Sequence, residues 1–283
     1  MATTFPSLFL NVPLSDQKTD YNQALFLVTN ESNQQHLLGF LSQNTIVGDT
    51  AIGVSGLFTL NAVAVRGIHA PSKNRIKRIL LLDCSSRVER FWNFMKQTLC
   101  ENIPREEAIA KIQSHVWTLR GDYWPNRTDE MAWTMITRLA VEIQYGVSFL
   151  SNDEKYHKIR QIFADNGFVF KRIDLFSPLS CTAISSALRT GVHTVDMVYL
   201  SNVSECVFGQ DEKIAGFSHS VRELVDDNTL VIHSKSSKTG IHPAVYRRKP
   251  GHEVNEAVVK EVFSLRFTTP ELPYSPAIQK AQS

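Results

Sequence analysis

The chain has 283 residues, of which 43% are hydrophobic and 20% are charged. This length is enough to bury a sizeable core, and the composition is typical of a globular protein rather than of a low-complexity chain. The formal net charge of +2 is too small to favour a nucleic acid as a partner.

The first 45 residues are predicted to form an N-terminal cap or lid. Residues 5–14 are apolar but contain two prolines and lack a basic flank, so they make a poor signal peptide. Residues 23–28 form either a strand or part of a short helix. No apolar run in the chain approaches the ~20 residues that a membrane span needs. We therefore expect a soluble protein.

A strand, a glycine turn and a helix follow the N-terminal part. Residues 46–53 are predicted to be a strand, and residues 57–66 a helix. The run 79–83 is apolar until it ends abruptly in Asp83, before small polar residues. This pattern is typical of a buried parallel strand whose carboxyl end opens into a ligand crevice.

Two short basic runs stand out, at residues 75–78 and 247–249. We interpret each as the solvated flank of a strand or as a loop rather than as a phosphate-binding patch. The cysteines contain no CxxC pair, which argues against a metal site and for reduced thiols in the cytoplasm. They are Cys84, Cys100, Cys181 and Cys206.

Residues 88–146 show helical periodicity, with apolar side chains recurring every three or four positions. Pro104 marks the start of a second helix, and a loop at 120–125 separates it from a third. This is more helix than one connection between two strands needs. We therefore predict that the segment contains an inserted helical subdomain.

Strands and helices alternate again after the insertion. A short apolar strand is predicted at 147–150, and a surface loop rich in serine and lysine at 234–240. The remaining predicted elements are helices at 153–164 and 211–225 and strands at 168–175, 195–200 and 229–234. Apolar strands that alternate with helices indicate the α/β class, with a mostly parallel sheet covered by helices on both faces.

The glycine turn and Asp83 together suggest a nucleoside site. Glycines at Gly53 and Gly56 would let the backbone approach a ligand, and the Asp83 carboxylate would accept hydrogen bonds from ribose hydroxyls. Two plainer explanations remain open. Asp83 could cap the helix that follows it, and glycines are common in turns before helices without any ligand.

The order of these parts resembles the class I S-adenosylmethionine-dependent methyltransferases, over roughly residues 46–235. The resemblance implies a Rossmann-like sheet and S-adenosylmethionine as cofactor. It also implies a set of cofactor contacts at the loop after the first strand and at the ends of the next three strands. These contacts are Gly53, Ser55, Gly56, Asp83, Asp174 and Ser201.

The resemblance places the transferred methyl group near the end of the strand 195–200. Asn202 follows this strand, and its carboxamide could accept a hydrogen bond from an amine while aiming the nitrogen lone pair. Tyr199 is assigned with it to the chemistry. The alternatives are that Asn202 caps a following helix and that Tyr199 packs within the sheet. No metal is assigned.

The resemblance also suggests how the chain is divided. We predict a cap or lid at 1–45, a Rossmann-like core at 46–87 and 147–265, a helical insertion at 88–146 and a tail at 266–283. The insertion would shape the site of the acceptor.

Three functions are compatible with these observations. The first is methyl transfer from S-adenosylmethionine to a small-molecule or protein acceptor. The second is a catalytically silent Rossmann-like module that binds another protein, such as a bacterial effector secreted into a host cell; the wide glycine spacing favours it. The third is a nicotinamide-dependent oxidoreductase, which the failed GxGxxG spacing disfavours. The oligomeric state cannot be read from the sequence.

Overall fold

The structure is a computed structural model that describes residues 4–14, 25–29, 34–67, 75–201, 203, 211–237 and 240–247. Within these residues a six-stranded sheet has the order β3-β2-β1-β4-β5-β6. The strands are β1 (Thr50–Val54), β2 (Arg78–Asp83), β3 (Phe168–Arg172), β4 (Val195–Ser201), β5 (Leu230–Ser237) and β6 (Gly240–Arg247). The apolar run of β2 is buried on both sides, as expected of a strand covered on both faces.

The strands β1 to β5 are all parallel, and only β6 runs antiparallel to its neighbour. The chain builds the sheet outward from β1 through β2 to β3, and then returns to place β4 on the other side of β1. This confirms the predicted α/β class with a Rossmann-like, mostly parallel sheet.

Nine helices are found in the part of the chain that the structure describes. They are α1 (Gln34–Gln43), α2 (Phe58–Val65), α3 (Ser86–Cys100), α4 (Arg105–Thr118), α5 (Arg120–Tyr123), α6 (Thr128–Gln144), α7 (Asp153–Ala164), α8 (Pro178–Thr190) and α9 (Asp211–Leu224). Helices α2, α3 and α7 pack together, and α8 packs on α9. Because parallel connections are right-handed, these two groups cover opposite faces of the sheet.

The connection from β2 to β3 contains five helices, α3 to α7. The helix α3 packs on β3 and α7 packs on α2 and α3, whereas α4, α5 and α6 pack mainly on one another, and α4 also contacts α3. One face of α6 is buried through Ala132, Met135, Leu139 and Glu142, which recur every three or four residues. No helix among the described residues combines the length and apolar character needed to cross a membrane.

Three local predictions differ from the structure. The apolar run at 147–150 is not a strand but leads into a 3-10 turn, Phe149–Ser151, where Asn61 accepts the Phe149 N–H through its side chain at 2.8 Å. The segment 120–125 is largely the short helix α5. The predicted surface loop at 234–240 belongs mostly to the β5–β6 pair. In the first case, a hydrogen bond between residues 88 positions apart holds the turn, and the local pattern does not show it.

A buried ion pair connects the centre of the sheet to the region around α1. The Arg66 guanidinium, just after α2, donates to both carboxylate oxygens of Asp196 in β4, at 2.5 and 2.8 Å. It also donates to the carbonyls of Leu41 and Thr45 at 3.0 and 3.1 Å. Both charged side chains are fully buried. The Arg66 guanidinium and the Asp196 carboxylate therefore have the hydrogen-bond partners that buried charges require.

Candidate functional site at the carboxyl edge of the sheet

The order in which the chain adds strands reverses between β1 and β4, which are neighbours in the sheet although they are far apart in sequence. In open α/β sheets, ligands bind outside the carboxyl ends of the strands at such a switch point. Ser55 follows β1, Asp83 ends β2 and Ser201 ends β4. Because Val54 pairs with Leu82 across β1 and β2, Ser55 and Asp83 take the next positions on adjacent strands.

Two serines at this edge have a backbone conformation that is unusual for residues with a side chain. Ser55 has a φ of 53° and Ser201 a φ of 50°, both in the left-handed region. The register between β4 and β5 also shifts between Tyr199 and Ser201. Left-handed non-glycine residues and strand irregularities are both enriched at functional sites. Here they occur at the ends of the two strands that flank the switch point.

The two glycines of the predicted turn are held by packing against the chain itself. Gly53 lies inside β1, where an added Cβ would overlap the Thr59 hydroxyl. At Gly56, an added Cβ would overlap the carbonyl oxygen of Phe26 and lie 2.6 Å from that of Leu27. The absence of a side chain at both positions therefore serves close packing between a strand, a helix and the N-terminal segment.

This packing makes Gly56 sensitive to substitution. We expect Gly56→Ala to lower the free energy of unfolding by about 1–3 kcal/mol, because the new methyl group meets backbone atoms that cannot rotate away. Gly39→Ala in α1 is the matched control, since its Cβ would meet nothing within 4 Å. The control should instead stabilise the helix by up to about 1 kcal/mol. Urea unfolding of both variants checks this, and equal effects would contradict it.

The two aspartates of the predicted site both form turns with their own backbone. Asp83 Oδ1 accepts the Ser85 N–H at 2.8 Å, and Asp174 Oδ1 accepts the Phe176 N–H at 2.9 Å. Both carboxylates are only partly buried. Their strands are adjacent, and the Ile173 N–H donates to the Asp83 carbonyl at 2.9 Å. Two carboxylates therefore occur near the same stretch of the sheet edge, and each accepts a backbone N–H from the turn that follows it.

Tyr199 lies in β4 beside Gly53 of β1. Its ring is buried against Phe58, with 4.4 Å between the ring centroids. Its hydroxyl donates to Thr29 Oγ1 at 3.3 Å. Asn202, the other residue assigned to the chemistry, lies outside the described residues.

Residues 25–29 lie against the turn after β1. The Leu27 carbonyl accepts the Leu57 N–H at 2.9 Å, and Trp124 Nε1 donates to the Leu25 carbonyl at 3.1 Å. From α3, Trp92 Nε1 donates to the Ser55 carbonyl at 2.9 Å. The N-terminal segment and the helical segment between β2 and β3 therefore both reach the candidate site. Sequence reasoning missed these contacts, because helical spacing identified the tryptophan at position 92 only as buried.

A buried carboxyl group lies behind the N-terminal segment. Burial raises the pKa of Glu142 to about 7, an effect that hydrogen bonds from Gln34 and Asn61 partly offset. Those bonds measure 3.1 Å from Gln34 Nε2 and 3.3 Å from Asn61 Nδ2. The same Gln34 amide donates to the Thr29 carbonyl at 3.3 Å. A chain of contacts thus joins Glu142 to Thr29 and, through it, to Tyr199. The sequence did contain a signal, since position 142 continues the buried stripe of α6.

Comparison with known proteins gives the following matches. Residues 124–263 match a family model described as a domain of unknown function, DUF7790. No curated protein matches the chain. Among solved structures, two of the rRNA methyltransferase aviRa from Streptomyces viridochromogenes are similar, at 10% and 9% sequence identity. They cover 75% and 82% of this chain and 84% and 94% of their own, with TM-scores of 0.37 and 0.39. At such low sequence identities and TM-scores, the similarity does not indicate an activity for this chain.

The described residues contain no group of three or more histidine, cysteine or acidic side chains that could hold a metal ion. Among the cysteines, Cys181 is buried, and burial raises the pKa of its thiol to about 12. This thiol therefore stays protonated and is a weak nucleophile.

Proposed function

We propose that this protein is a methyltransferase that uses S-adenosylmethionine, bound at the carboxyl edge of β1, β2 and β4. The observation that supports this best is the pair of left-handed serines, Ser55 and Ser201, at the switch point, with Asp83 on the next strand. The switch point is where α/β sheets of this kind bind nucleotides. A carboxylate beside it suits the two hydroxyls of a ribose.

The polar groups at this edge would suit an adenosine-containing cofactor. Asp83 would accept from the ribose hydroxyls, and Asp174, after β3, would lie towards the adenine. Ser55 and Ser201 would present backbone groups to the rest of the cofactor, while Gly53 and Gly56 allow close packing around the end of β1. The bound cofactor would supply an electrophilic methyl group.

The protein's own residues would then bind and orient the acceptor. Tyr199 and Asn202 remain the candidates next to the reacting groups. The Tyr199 ring is held by Phe58 and its hydroxyl by Thr29, so its position is fixed in advance. Such fixed positioning is what an in-line transfer to a nucleophile needs. Residues 25–29 would help to exclude water from this edge.

One observation favours the silent protein-binding module instead. The space against Gly56 is filled by the backbone of Phe26 and Leu27 rather than open to a ligand. If residues 25–29 keep this position and the space beside Ser55 and Asp83 is too small, no nucleoside could bind at the carboxyl edge. The two functions therefore differ in one property, the binding of an adenosine-containing cofactor.

Thermal unfolding with S-adenosylhomocysteine, S-adenosylmethionine and NAD distinguishes the three functions. At 100 times its Kd, a cofactor should stabilise the fold by about 2.7 kcal/mol. We expect both sulfur-containing nucleosides to raise the Tm and NAD to have no effect. Stabilisation by NAD alone would select the oxidoreductase, and no response to any of them would select the silent module.

The variant that tests the site is Asp83→Asn. Asparagine keeps the oxygen that accepts the Ser85 N–H, so the start of α3 should be preserved. It removes the charge that strengthens hydrogen bonds from the ribose, which is worth about 1.5–3 kcal/mol. We expect roughly 10- to 100-fold weaker binding of S-adenosylhomocysteine with an unchanged Tm in the free protein. Unchanged affinity in calorimetric titration would remove Asp83 from the site.

A further inference from the structure

A cavity lies at the edge of the sheet opposite the candidate site, where the parallel strands begin. Its volume is about 630 Å3. Arg78, the first residue of β2, and Gly167, just before β3, are part of its wall. The end of α2, the helix α7 and residues near the N-terminus complete it. This volume is within the range of about 300–1,000 Å3 that is typical of small-molecule sites.

The polar part of the wall is strongly basic. The described residues of the wall include five cationic side chains, which are Arg75, Lys77, Arg78, Lys155 and Lys158. Arg78 is neutralised by an ion pair with Asp49 at 2.5 Å. Within the described part of the wall, the other four face two carboxylates, those of Glu154 and Asp165, which leaves an excess of two positive charges. A phosphate monoester carries about −1.5 to −2 charges near neutral pH and would match this excess.

The cations come from two distant parts of the chain. Arg75 and Lys77 belong to the run before β2, and Lys155 and Lys158 lie on α7, about one turn apart. Arg75 and Lys77 are exposed, and within the described residues their side chains make no ion pair or hydrogen bond. The basic run before β2 therefore lines the same cavity as the two lysines of α7.

Backbone carbonyls hold both lysine side chains of α7, and Lys158 is held at the cavity wall through Ala64. Lys158 Nζ donates to the carbonyls of Ala64 and Arg66, and Lys155 Nζ donates to the Gly146 carbonyl at 2.6 Å. Burial, with Arg75 and Arg66 nearby, lowers the pKa of Lys158 to about 8. An anion in the cavity would favour the protonated amine and raise this pKa again.

Part of the wall is apolar, and Thr4, Gln161 and Asn166 add neutral polar groups. Phe5, Ala64, Ile76 and Ile162 line the cavity and are themselves nearly fully buried. These apolar side chains could contact the organic group of a phosphate ester, which inorganic phosphate lacks. A wall that combines apolar surface with convergent charges can hold both parts of a small organic anion.

We propose that this cavity binds a small phosphate ester, with the phosphate on the basic side chains and the organic group on the apolar wall. The site is separate from the carboxyl edge, and the proposal does not depend on methyl transfer.

Calorimetric titration at constant ionic strength tests this proposal, with phenyl phosphate, inorganic phosphate and phenol as probes. We expect phenyl phosphate to bind at least tenfold more tightly than inorganic phosphate, and phenol to show no binding. The double variant Arg75→Gln, Lys77→Gln should weaken phenyl phosphate at least tenfold. Lys96→Gln is the control, because Lys96 is exposed and does not line the cavity. It should leave the affinity unchanged.

The side-chain NMR signal of Lys158 gives an independent readout. Its pKa should rise when phenyl phosphate is added and should not respond to phenol. Absence of phenyl phosphate binding, or an equal loss of affinity in the Lys96 control, would overturn the proposal. Because S-adenosylhomocysteine has no phosphate, it should not compete with phenyl phosphate. Failure of the phosphate site would therefore leave the methyltransferase proposal unaffected.

Discussion

Replacement of Arg66 by methionine is expected to lower the free energy of unfolding by about 3–5 kcal/mol at pH 7. The change would leave the Asp196 carboxylate fully buried without its cation. It would also remove the donors to the carbonyls of Leu41 and Thr45. Urea unfolding followed by circular dichroism measures the loss directly.

An exposed pair in the same chain provides the control for this experiment. Arg90 and Asp122 form an ion pair at 2.6 Å, but both side chains are more than half exposed. Arg90→Met should therefore cost between about 0 and 1 kcal/mol. The double variant Arg66→Met, Asp196→Leu should recover part of the loss, because no unpaired charge remains. A loss for Arg66→Met no larger than that for Arg90→Met would contradict the role of this ion pair.

The second large effect is a dependence of stability on pH that comes from Glu142. Its pKa is raised by burial to about 7 in the folded protein, compared with an ordinary value of 4.5. Between these two values the folded state retains a proton that the unfolded state has released, so stability falls as the pH rises. The full cost, about 3 kcal/mol, is reached above the folded pKa.

Glu142→Gln should remove this dependence. The variant should gain about 3 kcal/mol relative to the wild type when the pH is raised from 4.5 to 8, because the neutral amide has no proton to lose. Denaturant unfolding at several pH values measures the difference. Glu130→Gln, on the exposed side of the same helix, should follow the wild type at every pH. Parallel curves for Glu142→Gln and the wild type would show that the buried carboxyl does not titrate in this range.

Local patterns predicted the sheet and most helices. The sequence predicts the helix α7 at 153–164, the bounds found in the structure, where Asn152 caps the helix and acidic residues occupy its first turn. The strand β2 was recognisable from an apolar run that ends in an aspartate. These signals are local, since caps, turns and buried runs depend on neighbouring residues.

The contacts that shape the candidate site depend on residues far apart in the chain. Gly56 meets the backbone of residues 26 and 27, and Tyr199 bonds Thr29 across 170 positions. Arg66 and Asp196 are separated by 130 positions. None of these pairs produces a pattern along the sequence. The cavity at the opposite edge could not be predicted from the sequence for the same reason. The basic run before β2 has the pattern of a strand flank, and only the folded chain brings α7 beside it.

A crystal structure of the protein with S-adenosylhomocysteine tests the central claim most directly. We expect the nucleoside to lie over the carboxyl ends of β1 and β2, with its ribose hydroxyls within hydrogen-bond distance of the Asp83 carboxylate and Ser55 alongside. A structure obtained under saturating ligand in which this edge still holds no nucleoside, or in which the nucleoside lies elsewhere, would contradict the proposed methyltransferase.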